Sequence, residues 1–152
     1  MTEANRMSAQ GSAITPIHAT AVACRLDGAW RGVLLTGRSG AGKSDLALRL
    51  IGEGWRLVSD DYCDVWRSEE VVFATAPASI SGRIELRGLG IASTPPRWIT
   101  RIVLVVACGW SEVERMPELE TAPIAGLDLP RLALDIRPAS ATRTLAFALR
   151  QV

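Results

Sequence analysis

The segment Gly37-Arg38-Ser39-Gly40-Ala41-Gly42-Lys43-Ser44 satisfies the pattern G-x-x-x-x-G-K-[S/T]. Each part has a chemical reason. Glycines let the backbone curl so that successive N–H groups point inward at phosphate oxygens. A helix starting near Lys43 presents its positive end to the same anion. The Lys43 ammonium reaches terminal phosphates as a point charge, and the Ser44 hydroxyl is suited to ligate a magnesium ion. The spacing therefore assigns Gly37, Arg38, Ser39, Gly40, Ala41, Gly42, Lys43 and Ser44 to a nucleotide phosphate site. The competing explanation is a glycine-rich strand–helix turn without a ligand. The apolar strand before the loop and the amphipathic helix after it favour the phosphate site.

An anion cradle alone transfers nothing. Phosphoryl transfer also needs an acid that orients the metal and a group that takes a proton from the nucleophile. Asp60 and Asp61 stand at the carboxyl end of the strand after the loop's helix, where ligands bind in a parallel α/β sheet. Neighbouring side chains on an extended segment point to opposite faces, so both can serve only if the pair lies just past the last ladder residue. Two close carboxylates also raise one another's proton affinity, which suits a base that must later return its proton. The residues themselves leave open which of the two is the base. A solvated turn is the competing explanation for the pair. Alternation puts Arg83, Glu85 and Arg87 on one side of an extended segment, as in a surface charge ladder. For His18 a partly buried histidine hydrogen-bonded near a sheet edge is an equal alternative to a site role, and Arg115 and Arg137 read as single solvated cations.

The elements that must position these groups follow from periodicity. Residues 1–13 lack it and read as a mobile arm. Ile14–Leu26 reads as a first strand reversing at Asp27-Gly28, and Val33–Thr36 as a strand covered on both faces. Lys43–Ile51 has Leu46, Ala47, Leu50 and Ile51 at helical spacing and stops at Gly52 or Gly54. Trp55–Ser59 is another strand, and Tyr62–Thr75 a hairpin about Arg67-Ser68-Glu69-Glu70. Ala76-Pro77 breaks it. Ile102–Ala107 reads as a buried strand, Ser111–Leu127 as polar and loop-rich, Leu132–Ile136 as a short strand and Ala141–Arg150 as a terminal helix. The fold class expected is α/β, a P-loop nucleotide-binding domain with a mixed sheet and hairpin insertions.

Composition narrows the class further. The chain's 152 residues predict one domain, able to bury roughly 70% of its unfolded surface. Its 17 Lys and Arg balance 16 Asp and Glu, which removes the electrostatic case for nucleic acid or a membrane surface. Cys24, Cys63 and Cys108 form no C-x-x-C pair, and His18 cannot complete a zinc site with them. They read as thiols of a reducing compartment. The longest apolar run, Ile102–Cys108, falls short of the ~20 residues that span a bilayer. A soluble, cytoplasmic protein is expected.

Several segments together resemble the C-terminal catalytic domain of HPr kinase/phosphorylase. In order they are Ile17-His18-Ala19-Thr20-Ala21, the loop Gly37–Ser44, Asp45-Leu46-Ala47-Leu48-Arg49-Leu50, Gly54-Trp55-Arg56-Leu57-Val58-Ser59-Asp60-Asp61, Ala76-Pro77, and Ile84-Glu85-Leu86-Arg87-Gly88-Leu89-Gly90-Ile91. Glu114-Arg115-Met116-Pro117 and Arg137-Pro138 are weaker echoes. The resemblance covers residues 14–150, and the combination is far more specific than the loop alone. It implies an ATP- and Mg²⁺-dependent kinase acting on a serine of the phosphocarrier protein HPr, in many members also a phosphorolytic enzyme that returns pyrophosphate. It implies Asp61 as the group exchanging the serine proton and His18 as a further active-site residue. Lys43 would contact phosphate, Ser44 and Glu85 would hold magnesium, and Arg115 would be a catalytic arginine. It further implies a hexamer and a fold similar to the nucleotide-binding core of phosphoenolpyruvate carboxykinase.

The departures bear on function. The N-terminal domain of longer members has no counterpart here, so the chain resembles the short form, with residues 14–152 as one catalytic domain. The family's R-P-G-R-N stretch reads Arg137-Pro138-Ala139-Ser140-Ala141. That stretch is tied to dephosphorylation, so the resemblance supports the kinase direction more than the phosphorylase one. Ala19 stands where many members have glycine. Two other functions fit the same loop: a small-molecule kinase, which needs a concave acceptor pocket, and a nucleotide-binding regulatory module, which needs affinity but no base.

Overall fold

The computed structural model describes residues 13–109, 118 and 120–152; residues 1–12 of the expected arm, and Arg115, lie outside them. The described elements are β1 (Thr15–His18), β2 (Thr20–Leu26), β3 (Ala29–Thr36), α1 (Lys43–Gly52), β4 (Arg56–Ser59), β5 (Tyr62–Ser68), β6 (Val71–Thr75), β7 (Arg83–Leu86), β8 (Gly90–Ser93), β9 (Ile99–Gly109), β10 (Glu120–Ile124), β11 (Leu127–Asp135) and α2 (Ala141–Leu149). Nine strands make one mixed sheet in the order β1-β5-β6-β9-β3-β2-β4, with β10 joined through β11 to β9; β7 and β8 form a separate hairpin.

The long strand β9 organises the sheet. Its first half runs antiparallel to β6, its second half parallel to β11, and its other edge parallel to β3. β4 is antiparallel to β2, which is antiparallel to β3. Two reversals restore the direction, so β3, β4, β9 and β11 all end at one edge of the sheet. That edge receives the glycine-rich loop after Thr36 and the aspartate pair after Ser59.

Both faces of β3 are buried, as its unbroken apolar run requires. Val33 and Leu35 pack with Leu104 and Val106 under Leu46, Ala47 and Leu50 of α1 and Leu145 and Leu149 of α2. Leu34 joins a second cluster drawn from β2, β4, β5, β6 and β9, including Ala21, Ala23, Val58, Cys63, Val65 and Ala74. Strands from both ends of the sheet contribute to that cluster, so the sheet curls round it, and the small side chains let it close tightly. A bulge between Gly32 and Val33 shifts the β9 register, so Ile102 faces the second cluster while Leu104 faces the first.

Gly32 is required there for space. A Cβ on it would lie 2.6 Å from Thr100 Cγ2, 2.7 Å from the Arg101 carbonyl oxygen and 2.8 Å from Ile102 Cδ1. Gly32→Ala is expected to destabilise the fold by about 3 kcal/mol, lowering Tm by roughly 6–12 °C. A thermal melt within about 2 °C of the parent would show that β9 yields to the added methyl.

Several elements differ from expectation, β3 (from Ala29 rather than Val33) and β9 (Ile99–Gly109 rather than Ile102–Ala107) only in being longer. The first strand divides at Ala19: β1 pairs with β5 while β2 pairs with β3 and β4, so the chain crosses the curl. Local periodicity carries no mark of such a crossing. The end of the segment expected to be loop-rich is strand β10, paired with β11 from Glu120↔Arg131 to Ile124↔Leu127. Its polar sequence reflects an edge position, and Pro123 is tolerated there for the same reason. Consequently β11 begins at Leu127 rather than Leu132.

Candidate functional site

The glycine-rich loop owes its shape to glycines at two positions in particular. Gly37 has φ +140° and lies so close to β9 that a Cβ would come within 2.8 Å of the Cys108 carbonyl oxygen. Gly42, at φ +100°, is the N-cap of α1, and no side chain caps the first turn of that helix. The amide groups at the start of α1 therefore face the loop unclaimed by any side chain, the arrangement that binds anions. Lys43 is buried, and its Nζ donates to the carbonyls of Gly37 (2.6 Å) and Arg38 (3.0 Å), arching over the loop.

The two aspartates are neighbours in sequence with different surroundings. Asp60 is buried and accepts three hydrogen bonds: from Ser44 Oγ at 2.6 Å and Thr20 Oγ1 at 3.3 Å to Oδ1, and from the Glu85 N–H at 3.2 Å to Oδ2. It therefore fastens α1, β2 and β7 together. Asp61 turns outward. Its side chain is 56% exposed, with Oδ1 2.8 Å from His18 Nε2. His18 ends β1 and lies against the Tyr62 ring, 5.2 Å between centroids. His18 is thus an exposed residue at the sheet edge rather than a partly buried one, and its hydrogen-bond partner is Asp61.

A cleft of about 630 Å³ brings these groups together. Ser39, Gly40, Gly42, Lys43 and Ser44 line it together with Asp60, Asp61, Glu85 and Arg87. Gly37, Arg38 and Ala41 complete the loop without lining the cleft. A smaller cavity of about 210 Å³ shares Asp60, Asp61 and Glu85 and continues past Tyr62, Ile80, Arg83 and Ile91. Arg83, Glu85 and Arg87 are all exposed with Ile84 buried between them, as alternation expects; Arg83 borders the smaller cavity, Arg87 the cleft and Glu85 both. β7 ends at Leu86, before the turn that contains Gly88 at φ +87°.

Among the described residues no three His, Cys, Asp and Glu side chains converge on a metal position. The donors beside the loop are instead the Ser44 hydroxyl and the Asp60, Asp61 and Glu85 carboxylates, all hard oxygens. Few protein ligands of this kind suit Mg²⁺, which keeps its waters and takes phosphate oxygens from a nucleotide. Arg137 bonds Asp135 through both its backbone and its guanidinium, and those bonds hold the Asp135 carboxyl below its ordinary range. Arg49 fixes the same segment to α1 by donating to the carbonyls of Ile136 (2.6 Å) and Pro138 (3.2 Å). Burial pushes the Cys63 and Cys108 thiols up to about 12, so neither is a nucleophile at neutral pH. Sequence reasoning overlooked Thr20 and Arg87 as parts of the site. The signal for Thr20 was a hydroxyl within an otherwise apolar strand.

Comparison with known proteins shows the family of the fold. The family described as HPr Serine kinase C-terminal domain matches residues 16–146. The chain belongs to that family. HPr kinase/phosphorylase of Bacillus licheniformis is 35% identical over 120 residues, covering 70% of this chain and 39% of the relative. HPr kinase/phosphorylase of Clostridium acetobutylicum is 48% identical over 64 residues, covering 42% and 21%. The chain thus spans about two fifths or less of the curated family members it matches. The solved structure of the Hpr(Ser) kinase/phosphatase from Coxiella burnetii superposes with a TM-score of 0.73 at 25% identity, covering 90% of this chain and 95% of that one. The α/β fold with its curled mixed sheet is therefore that of the family. Among the described residues no helix is long and apolar enough to cross a membrane.

Proposed function

We propose that this chain is the catalytic domain, over residues 14–152, of an ATP- and Mg²⁺-dependent protein serine kinase whose acceptor is HPr. The observation that carries the reading is the division of labour between adjacent carboxylates on one cleft: Asp60 is bonded to the phosphate-loop Ser44, while Asp61 faces outward beside His18. A nucleotide-binding module needs the first arrangement but has no use for the second.

In this reading the loop amides and Lys43 hold the phosphates of ATP. Ser44, Asp60 and Glu85 hold magnesium, which when bound neutralises charge on the phosphates. Asp61 accepts the proton of the acceptor serine as the phosphoryl group passes to it, and His18 holds the Asp61 carboxylate in place. The acceptor approaches through the second cavity, on the far side of Asp61 from the loop, as in-line transfer requires. Tyr62 and Ile91 at its rim are exposed, which suits a protein segment better than an enclosed metabolite and sets the small-molecule kinase reading second. Arg115 supplies a further positive charge. A core similar to that of phosphoenolpyruvate carboxykinase, a cytoplasmic location and hexameric assembly belong to the same proposal. Phosphorolysis of phosphorylated HPr is the weaker part of it, because residues 137–141 depart from the family pattern.

Incubation with HPr, ATP and Mg²⁺, followed by mapping of the modified residue and a chase with inorganic phosphate, tests the proposal. Phosphoserine on HPr is expected; transfer only to small metabolites, or ATP binding without turnover, would refute it. Lys43→Ala is expected to weaken both nucleotide affinity and turnover, each by about 10²-fold, because the buried ammonium orders the loop and faces the phosphates. Calorimetry and initial rates read the two effects separately, and unchanged kinetics would remove Lys43 from the site.

A further inference from the structure

We propose that Thr20 is a positioning residue for phosphoryl transfer: its hydroxyl holds the Asp60–Asp61 turn in the backbone shape that sends the two adjacent carboxylates to different places. The inference rests on the kinase reading of the site and adds to it the device that keeps the base apart from Asp60.

Asp61 has φ +69°, in the left-handed region that a residue with a Cβ rarely occupies. The Tyr62 N–H donates to the Asp60 carbonyl at 2.8 Å, so Asp61 is the middle of a three-residue turn. Such a turn with positive φ at its centre is rare and strained, and it persists only where its surroundings hold it. The sheet rungs Ala21↔Ser59 and His18↔Tyr62 fix its two ends, and two hydroxyls hold it between them. Ser59 Oγ donates to the Tyr62 carbonyl from the β4 side. From the β2 side comes Thr20, fully buried, whose one hydroxyl accepts the Asp61 N–H at 3.1 Å and donates to Asp60 Oδ1 at 3.3 Å.

Both hydrogen bonds of that hydroxyl go to the aspartate pair, one to each residue. The bond to Asp61 fixes a backbone amide, which sets where its carboxylate points, toward His18 and the outer cavity. The bond to Asp60 helps hold that carboxylate inward against Ser44. If the turn relaxed to an extended form, Asp61 would swing and its 2.8 Å contact with His18 would break. Thr20 itself lines neither cavity; what it touches there are Asp60 and Asp61, which line both, so it acts through the aspartates.

The test uses the full chain with Thr20→Val, which keeps the β-branched shape, and Thr20→Ser, which keeps the hydroxyl. Thr20→Val is expected to lower kcat for HPr phosphorylation about 10²-fold with KM for ATP within about twofold, the signature of a misplaced base rather than a damaged nucleotide site. Thr20→Ser is expected to stay within about threefold of the parent, and Thr20→Val to add less than about twofold once Asp61 is already Asn. Amide exchange followed by NMR needs no turnover: the Asp61 amide is expected to exchange about tenfold faster in Thr20→Val than in Thr20→Ser or the parent. A folded Thr20→Val with kcat within about twofold of the parent overturns the proposal, as does Thr20→Ser failing as badly as Thr20→Val. Should Thr20→Val not fold, Thr20→Ser decides alone, since loss of its turnover or of its Asp61 amide protection overturns the role of the hydroxyl. If the parent chain transfers nothing to HPr, the kinase reading falls by itself, and the amide comparison still decides whether Thr20 holds the turn.

Discussion

Asp61→Asn is expected to reduce phosphate transfer by about 10⁴-fold, the upper range for loss of a general base, with ATP affinity changed by less than about twofold. The substitution removes little else. Asparagine is nearly isosteric and tolerates the left-handed backbone that Asp61 adopts at φ +69°. Its side-chain oxygen can still meet His18 Nε2, and its N–H can still reach Thr20 Oγ1. Asp61 shares the cleft with the phosphate loop but bonds none of its residues. What disappears is a group able to take a proton. Single-turnover transfer to HPr beside nucleotide calorimetry separates the two quantities. A folded Asp61→Asn that no longer binds ATP would place Asp61 in the nucleotide site and leave the reaction without its base.

Legibility of this site in the sequence varied with the range of the interactions involved. The strand–loop–helix unit was readable because its signals are local: glycines at set offsets, an apolar strand before them and helical spacing in Leu46, Ala47 and Leu50 after them. The aspartate pair was readable as a position, just past the last rung at Ser59, but its different surroundings were not. Those surroundings depend on Thr20 and His18, some forty residues earlier, reached because β1 and β2 lie across the curl from each other. Glu85 was placed beside the site by the family resemblance, while alternation alone suggested a surface ladder. The three side chains are indeed exposed together, and what alternation could not show is that Glu85 also borders the cleft. β10 was missed because edge strands carry a weak apolar period, and the break at Ala19 because small apolar residues alternate smoothly through it.

Asp60→Ala is expected to have the second large effect, of a different kind. The Asp60 carboxylate is buried and accepts from Ser44, Thr20 and the Glu85 N–H. Alanine leaves three donors facing a small void, and unpaired buried donors cost about 1–3 kcal/mol each when water cannot reach them. Part of that cost is relieved because Ser44 lines the open cleft, so the loss is expected near about 3 kcal/mol, or roughly 6–12 °C in Tm. Turnover is expected to fall as well, by about 10³-fold, with the requirement for Mg²⁺ shifted upward, because Ser44 and the strand bearing Glu85 lose their common anchor. The contrast with Asp61 is the informative part. Asp61 is half exposed, and its replacement should leave Tm within about 2 °C. Thermal unfolding and Mg²⁺ titration of turnover, run on both variants, should therefore move together for Asp60→Ala. For Asp61→Asn neither melting nor metal requirement should shift while transfer is lost. Asp60→Ala with the parent's Tm and metal requirement would mean that the phosphate loop and β7 are held together by something other than this carboxylate.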